Sequence, residues 1–154
     1  MIASMVARRQ YAAGLTSLEQ GDLDGLLRHF ASKCTLTFVG DTPLGADHLT
    51  GPALRLWFER FLRLLPDRRF EVQRVVVTGP PWNQQLAAHV LIHSSISGEP
   101  YTNQFAHFLR IRWAKVVDDL VLEDTQRWDR ACRQLTAEGV PEAGAAPISS
   151  RQAG

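Results

Sequence analysis

His107 and Asp119 are the two residues of this sequence whose types and positions most directly permit proton chemistry. Both fall in stretches that read as strands, 101–112 and 115–124, joined by a tight turn at Trp113-Ala114. Alternation puts Tyr101, Asn103, Phe105 and His107 on one face of the first strand. On the second, Val117, Asp119 and Val121 share a face. A turn at Trp113-Ala114 pairs residues whose numbers sum to about 226, which makes His107 and Asp119 directly opposite neighbours. A carboxylate there would fix the imidazole tautomer and favour its protonated form, as a proton shuttle requires. Two alternatives stay open. A hairpin reversing at Asp118-Asp119 would leave Asp119 in water, and a histidine beside an aspartate in a sheet can be a purely structural bond.

Around that pair, Tyr101 and Asn103 could orient a substrate oxygen, while Phe105, Val121, Trp57, Phe61, Phe38 and Tyr11 could wall an apolar cavity. His89 and His93 invite a metal reading, but four residues along a strand separate their side chains by roughly 13 Å, too far for one ion. They face away from the apolar side of their strand. Cys34 and Cys132 fit no zinc or redox spacing and read as reduced, partly buried thiols. No glycine-rich phosphate loop and no nucleophile elbow is present in the sequence. The expectation is a site without metal or cofactor.

The elements that must position these groups follow from periodicity. A first helix, with Ser4 as its cap, runs to about Gln20 and carries Tyr11, Leu15 and Leu18 on one face. Gly21 ends it, and Asp22 caps a short second helix whose stripe is Leu23, Leu26, Leu27 and Phe30. Residues 35–39 read as a strand, 40–51 as a loop. Pro52 opens a third helix with Leu54, Trp57, Phe58, Phe61 and Leu65 on one side. Strands at 69–78 and 85–97 precede the pair already described, and a last helix covers 125–135. Three helices followed by a twisted antiparallel meander predict an α+β cone, a curved sheet wrapped over the N-terminal helices with an internal pocket. Residues 1–137 form its single domain, and the Ala/Gly/Pro/Ser-rich segment 138–154 is expected to be a disordered tail.

Composition limits the partners. The chain has 154 residues and 17 Lys+Arg against 16 Asp+Glu, a net charge of +1 that argues against nucleic acid. Arg8-Arg9 and Arg68-Arg69 read as solvated pairs. No apolar run is long enough for a membrane helix, and residues 1–15 lack the pattern of a secretion signal, so a cytoplasmic protein is expected.

Four segments carry a resemblance: GDLDG with LLRHFA (21–31), LTGPALRLWFERF (49–61), GEPYTNQFAHFLRI (98–111) and KVVDDLVLEDTQRW (115–128). In this order they resemble the nuclear-transport-factor-2-like superfamily, in its ketosteroid-isomerase, polyketide-cyclase and SnoaL-like branch. The resemblance implies a cone-shaped, cystatin-like fold. It also implies catalysis by a few acids and bases in an apolar hollow, without cofactor. The ketosteroid-isomerase tyrosine and base fall at Gly14 and Phe38, and its third group at His107. The Asp, Arg and Asp of limonene-epoxide hydrolases fall at His107, Phe105 and Val121. Neither activity is retained. Polyketide-cyclase-like relatives pair an Asp on the penultimate strand with a His on the last; here the pair resembles theirs with its members exchanged.

The expected function is therefore acid/base chemistry, of a dehydratase, isomerase or cyclase type, on a small and largely apolar organic molecule. In it His107 moves the proton and Asp119 orients it. The alternative is a non-catalytic ligand-binding or dimerisation module of the same fold. A homodimer through the open sheet face is expected in either case.

Overall fold

A computed structural model describes residues 1–153 in backbone and 1–151 in side chain. Helix α1 (Ile2–Gln20) starts three residues earlier than expected, and Ser4 lies inside its first turn, its hydroxyl donating to Met1 O. Gly21 closes the helix with a left-handed φ of 73°, letting its own N–H and that of Asp22 bond Leu18 O and Ser17 O. Asp22 caps α2 (Leu23–Leu27) by accepting from the Gly25 N–H at 2.8 Å. A Cβ on Gly25 would stand 2.1 Å from that carboxylate, so the second glycine of GDLDG is what the cap requires. Phe30, expected to close the helical stripe, instead begins strand β1 (Phe30–Phe38).

The sheet has six strands in the order β2-β1-β6-β5-β4-β3, with β2 (Ala46–Leu49), β3 (Arg69–Thr78), β4 (Gln84–Ile96), β5 (Glu99–Arg112) and β6 (Lys115–Glu123). It is a mixed sheet, because β1 runs parallel to β6; every other pair is antiparallel. The expected all-antiparallel meander is corrected at that point. The helical segment preceding β1 delivers it to the far side of the sheet, beside the last strand. Strand β2 lies within the stretch expected to be loop.

α3 (Pro52–Leu64) packs into the concave side through Trp57, Phe58 and Phe61. The Trp57 ring stacks on Phe61 at 5.6 Å, and its Nε1–H donates to Leu44 O at 2.7 Å. α1 covers the same side with Tyr11, Leu15 and Leu18. Arg68, expected to be solvated, is buried. Its guanidinium donates to Leu18 O, Glu19 O and Leu65 O, tying the C-terminal ends of α1 and α3 together.

The segment after α4 (Thr125–Ala137) also differs from expectation. Gly154 lies outside the described residues, but the rest of the expected tail is folded against the domain. Ala143 and Ile148 are buried, Ile148 bridges to Ala46, and Glu142 pairs with both Arg60 and Arg63. One carboxylate facing two arginines supplies anchoring that the composition of the segment does not reveal. Among the described residues no helix is long and apolar enough to cross a membrane.

Candidate functional site

The β5–β6 hairpin turns at Trp113-Ala114, whose φ values of 48° and 61° are both left-handed, the geometry of a two-residue turn matched to strand twist. The register then shifts between Arg110 and Ile111, with Val117 as the extra residue on β6. Val121 therefore sits opposite His107, and Asp119 opposite Leu109. The expected direct pairing is corrected to a diagonal one. The bulge also turns Val116, rather than Val117, to the buried side. Diagonal neighbours on one face remain within reach of long side chains, and His107 Nε2 meets Asp119 Oδ1 at 2.7 Å.

A third group joins them from α1. The Tyr11 hydroxyl lies 3.0 Å from His107 Nδ1. An ionised carboxylate only accepts, so the Asp119 contact places the ring hydrogen on Nε2; Nδ1 is then an acceptor for the Tyr11 O–H. Both imidazole nitrogens are occupied by protein. The His107 and Asp119 side chains are 13% and 4% exposed. Burial, and secondarily the Asp119 charge, push the Tyr11 phenol above its ordinary range, so it stays protonated.

His107 and Asp119 stand in the wall between two apolar hollows, of about 70 and 60 Å³, and Tyr11 faces the first of them. The first is lined by Tyr11, Gly14, Leu26 and Phe58, the second by Phe38, Trp57, Phe61, Tyr101, Phe105 and Val121; His107 and Asp119 border both. Of the expected wall residues, only Tyr11 takes a part in the hydrogen-bonded chain. Asn103 is brought to the same region but is not exposed to either hollow. Its amide donates to Tyr101 Oη at 3.0 Å and Asp124 O at 3.1 Å, and its Oδ1 accepts from the Gln104 N–H. Asn103 therefore holds the end of β5 and Tyr101 in place. His89 and His93 bond Gln104, Thr102 and Glu71 on the outer face.

Glu123 and Trp128 also line the second hollow. Neither was anticipated, although Glu123 could have been: the alternation that carries Asp119 and Val121 inward carries Glu123 with them. Burial, then the charge of Asp124, push its carboxyl up to about 8. Cys34 and Cys132 are free and buried, their thiols both pushed up to about 12, chiefly by burial. Among the described residues no group of three His, Cys, Asp or Glu side chains is placed to hold a metal ion.

A family model described as SnoaL-like domain matches residues 8–119. A search of the curated proteins finds no match. Solved structures share the fold. PrhC from Penicillium brasilianum has a TM-score of 0.78 at 16% identity, covering 92% of this chain and 95% of its own. BvnE pinacolase from Penicillium brevicompactum gives 0.72 at 13%, covering 88% and 98%. TerC, co-crystallised with polyporic acid, gives 0.67 at 16%, covering 82% and 97%. At such identities the likeness is one of fold.

Proposed function

This chain belongs to the SnoaL-like domain family, and from that premise we propose that it is a cofactor-independent acid/base enzyme acting on a small, largely apolar organic molecule. The dehydratase, isomerase and cyclase classes all need the same elementary step, a proton moved at a water-poor site. The observation that carries the reading is the chain Asp119–His107–Tyr11, set between two apolar hollows with both imidazole nitrogens engaged. In the acid direction an imidazolium, held by the Asp119 carboxylate, passes its Nδ1 proton to Tyr11 Oη as Tyr11 gives its own proton to a substrate oxygen. The base direction is the reverse: Tyr11 Oη takes a substrate proton while its hydroxyl proton moves to Nδ1. Tyr11 remains a neutral phenol before and after, in keeping with the upward push on its ionisation. His107 is then the store of the proton, and Tyr11 the group that touches substrate. The fold relatives' names, a pinacolase and a protein crystallised with polyporic acid, support organic-ligand chemistry in such a hollow.

The test is the base-promoted ring opening of 5-nitrobenzisoxazole, a probe that needs only proton abstraction and a dry site. Wild type is expected to accelerate it over buffer. His107→Gln is expected to lower kcat/KM about a hundredfold, the usual worth of a positioned acid/base group, and Asp119→Asn about tenfold or more. Equal rates in wild type and His107→Gln would overturn the reading. The smallness of the hollows favours the second reading, a binding module without chemistry. That reading predicts probe binding with no acceleration.

The same proposal includes a homodimer through the convex face of the sheet, where Val76, Phe108 and Leu122 lie together among the more exposed large apolar side chains.

A further inference from the structure

The second hollow ends in polar atoms that the protein leaves unmatched. Glu123 Oε1 and Trp128 Nε1 are both buried without a hydrogen-bond partner, and both residues line this hollow. Tyr101, whose ring lies 6.3 Å from that of Trp128, accepts from the Asn103 amide and so keeps its own hydroxyl hydrogen to donate. The same amide reaches Glu123 Oε2 at 3.4 Å, which leaves Oε1 as the carboxyl atom with nothing to bond. Unmade hydrogen bonds on buried groups are costly and usually mark a missing partner. At neutral pH Glu123 keeps its proton, because burial and the neighbouring Asp124 push it up to about 8. Glu123 O–H, Trp128 N–H and Tyr101 O–H are then three donors at one end of an apolar hollow. Such a set suits an acceptor oxygen; none of its three members is cationic, and Arg127 nearby is paired with Asp124 at 3.9 Å.

We propose that this end of the hollow is a subsite for a neutral carbonyl oxygen, held by Glu123, Trp128 and Tyr101, and that the substrate is an uncharged carbonyl compound whose apolar body reaches from there past His107, which borders both hollows, toward the one that Tyr11 lines. This deepens the functional reading above and rests on the hollow being the substrate site. It does not depend on Tyr11 moving protons.

The probe is cyclopentanone, compared with cyclopentane and with the cyclopentanecarboxylate anion, each titrated into the full chain and followed on the Trp128 indole N–H resonance. At pH 6.5 cyclopentanone should move that resonance downfield and bind at least tenfold tighter than the other two. Raising the pH to 9.5 should weaken its binding at least tenfold as Glu123 ionises. The other titratable or charged groups around Glu123 are Asp124, Tyr101 of β5 and Cys132 of α4, with Arg127 of α4 beside Tyr101 and His107 and Asp119 bordering the hollow. Tyr101 is raised and Cys132 pushed up to about 12, so neither titrates in that window. Glu123→Gln keeps an N–H donor without a titrating proton. It should therefore bind cyclopentanone equally at both pH values, whereas Glu123→Leu should lose at least tenfold at pH 6.5. Cyclopentanone binding needs no proton transfer whereas 5-nitrobenzisoxazole turnover does, so failure of this subsite and failure of the proton relay are read separately. Equal affinity for cyclopentane, an unmoved indole resonance, or a pH dependence that persists in Glu123→Gln would overturn the proposal.

Discussion

An imidazole with both nitrogens bonded to protein cannot itself meet a substrate, and this shapes the chemistry open to His107. If Asp119 fixes the hydrogen on Nε2, replacing it with Asn, whose amide can donate, should move the hydrogen to Nδ1. The ¹⁵N shifts of the ring report this: wild type is expected as the Nε2–H tautomer and Asp119→Asn as Nδ1–H, and an unchanged pattern would remove the orienting role of Asp119. Glu123 gives a prediction about stability. Its carboxyl is pushed from 4.5 up to about 8 by burial and Asp124, so between those values the folded chain holds a proton that the unfolded chain has lost. Stability from this group is complete below about pH 4 and declines as pH rises toward 8, by at most ~1.4 kcal/mol per pH unit. Denaturant midpoints measured from pH 5 to 8 should fall in wild type, and the fall should be smaller in Glu123→Gln. Parallel pH profiles would contradict the assignment.

At the scale of elements, the β5–β6 hairpin decides whether the site exists. Its turn residues were legible, because a break between two strand-like runs has few other places to fall. The bulge at Val117 was not, since nothing in the residue types distinguishes an extra residue from continued alternation. The expected pair survived because the slip moved Asp119 to a diagonal position on the same face. The turn itself is strained: Ala114 holds φ 61° with a side chain attached. Ala114→Gly should stabilise the domain by about 1 kcal/mol, read from chemical unfolding; a loss would mean that the turn is otherwise constrained. Helix α3 was readable from Pro52 and its spaced aromatics. Strand β2, four residues that include Asp47 and His48, carried no strand signal and forms because β1 offers it an edge. The start of β1 was hidden because Phe30 also fits the stripe of α2.

For the molecule as a whole, the cone was legible from the order of elements, while its outer attachments were not. Composition made 138–154 look unable to order, yet Glu142 finds Arg60 and Arg63 on α3 at 2.9 and 2.5 Å, an arrangement visible only once α3 is placed. Glu142→Gln should destabilise the fold by about 1–2 kcal/mol in urea unfolding; no change would make the contact incidental. If the convex face mediates self-association, Phe108→Glu should convert a dimer to monomer in sedimentation velocity, and a monomeric wild type would contradict it. In the proposed mechanism a proton leaves or enters the substrate through Tyr11, backed by His107 and Asp119. It is tested most directly by kcat/KM for 5-nitrobenzisoxazole in Tyr11→Phe, which removes one oxygen and little volume. With the probe still bound, kcat/KM should fall about a hundredfold. A Tyr11→Phe enzyme that turns over at the wild-type rate would contradict it.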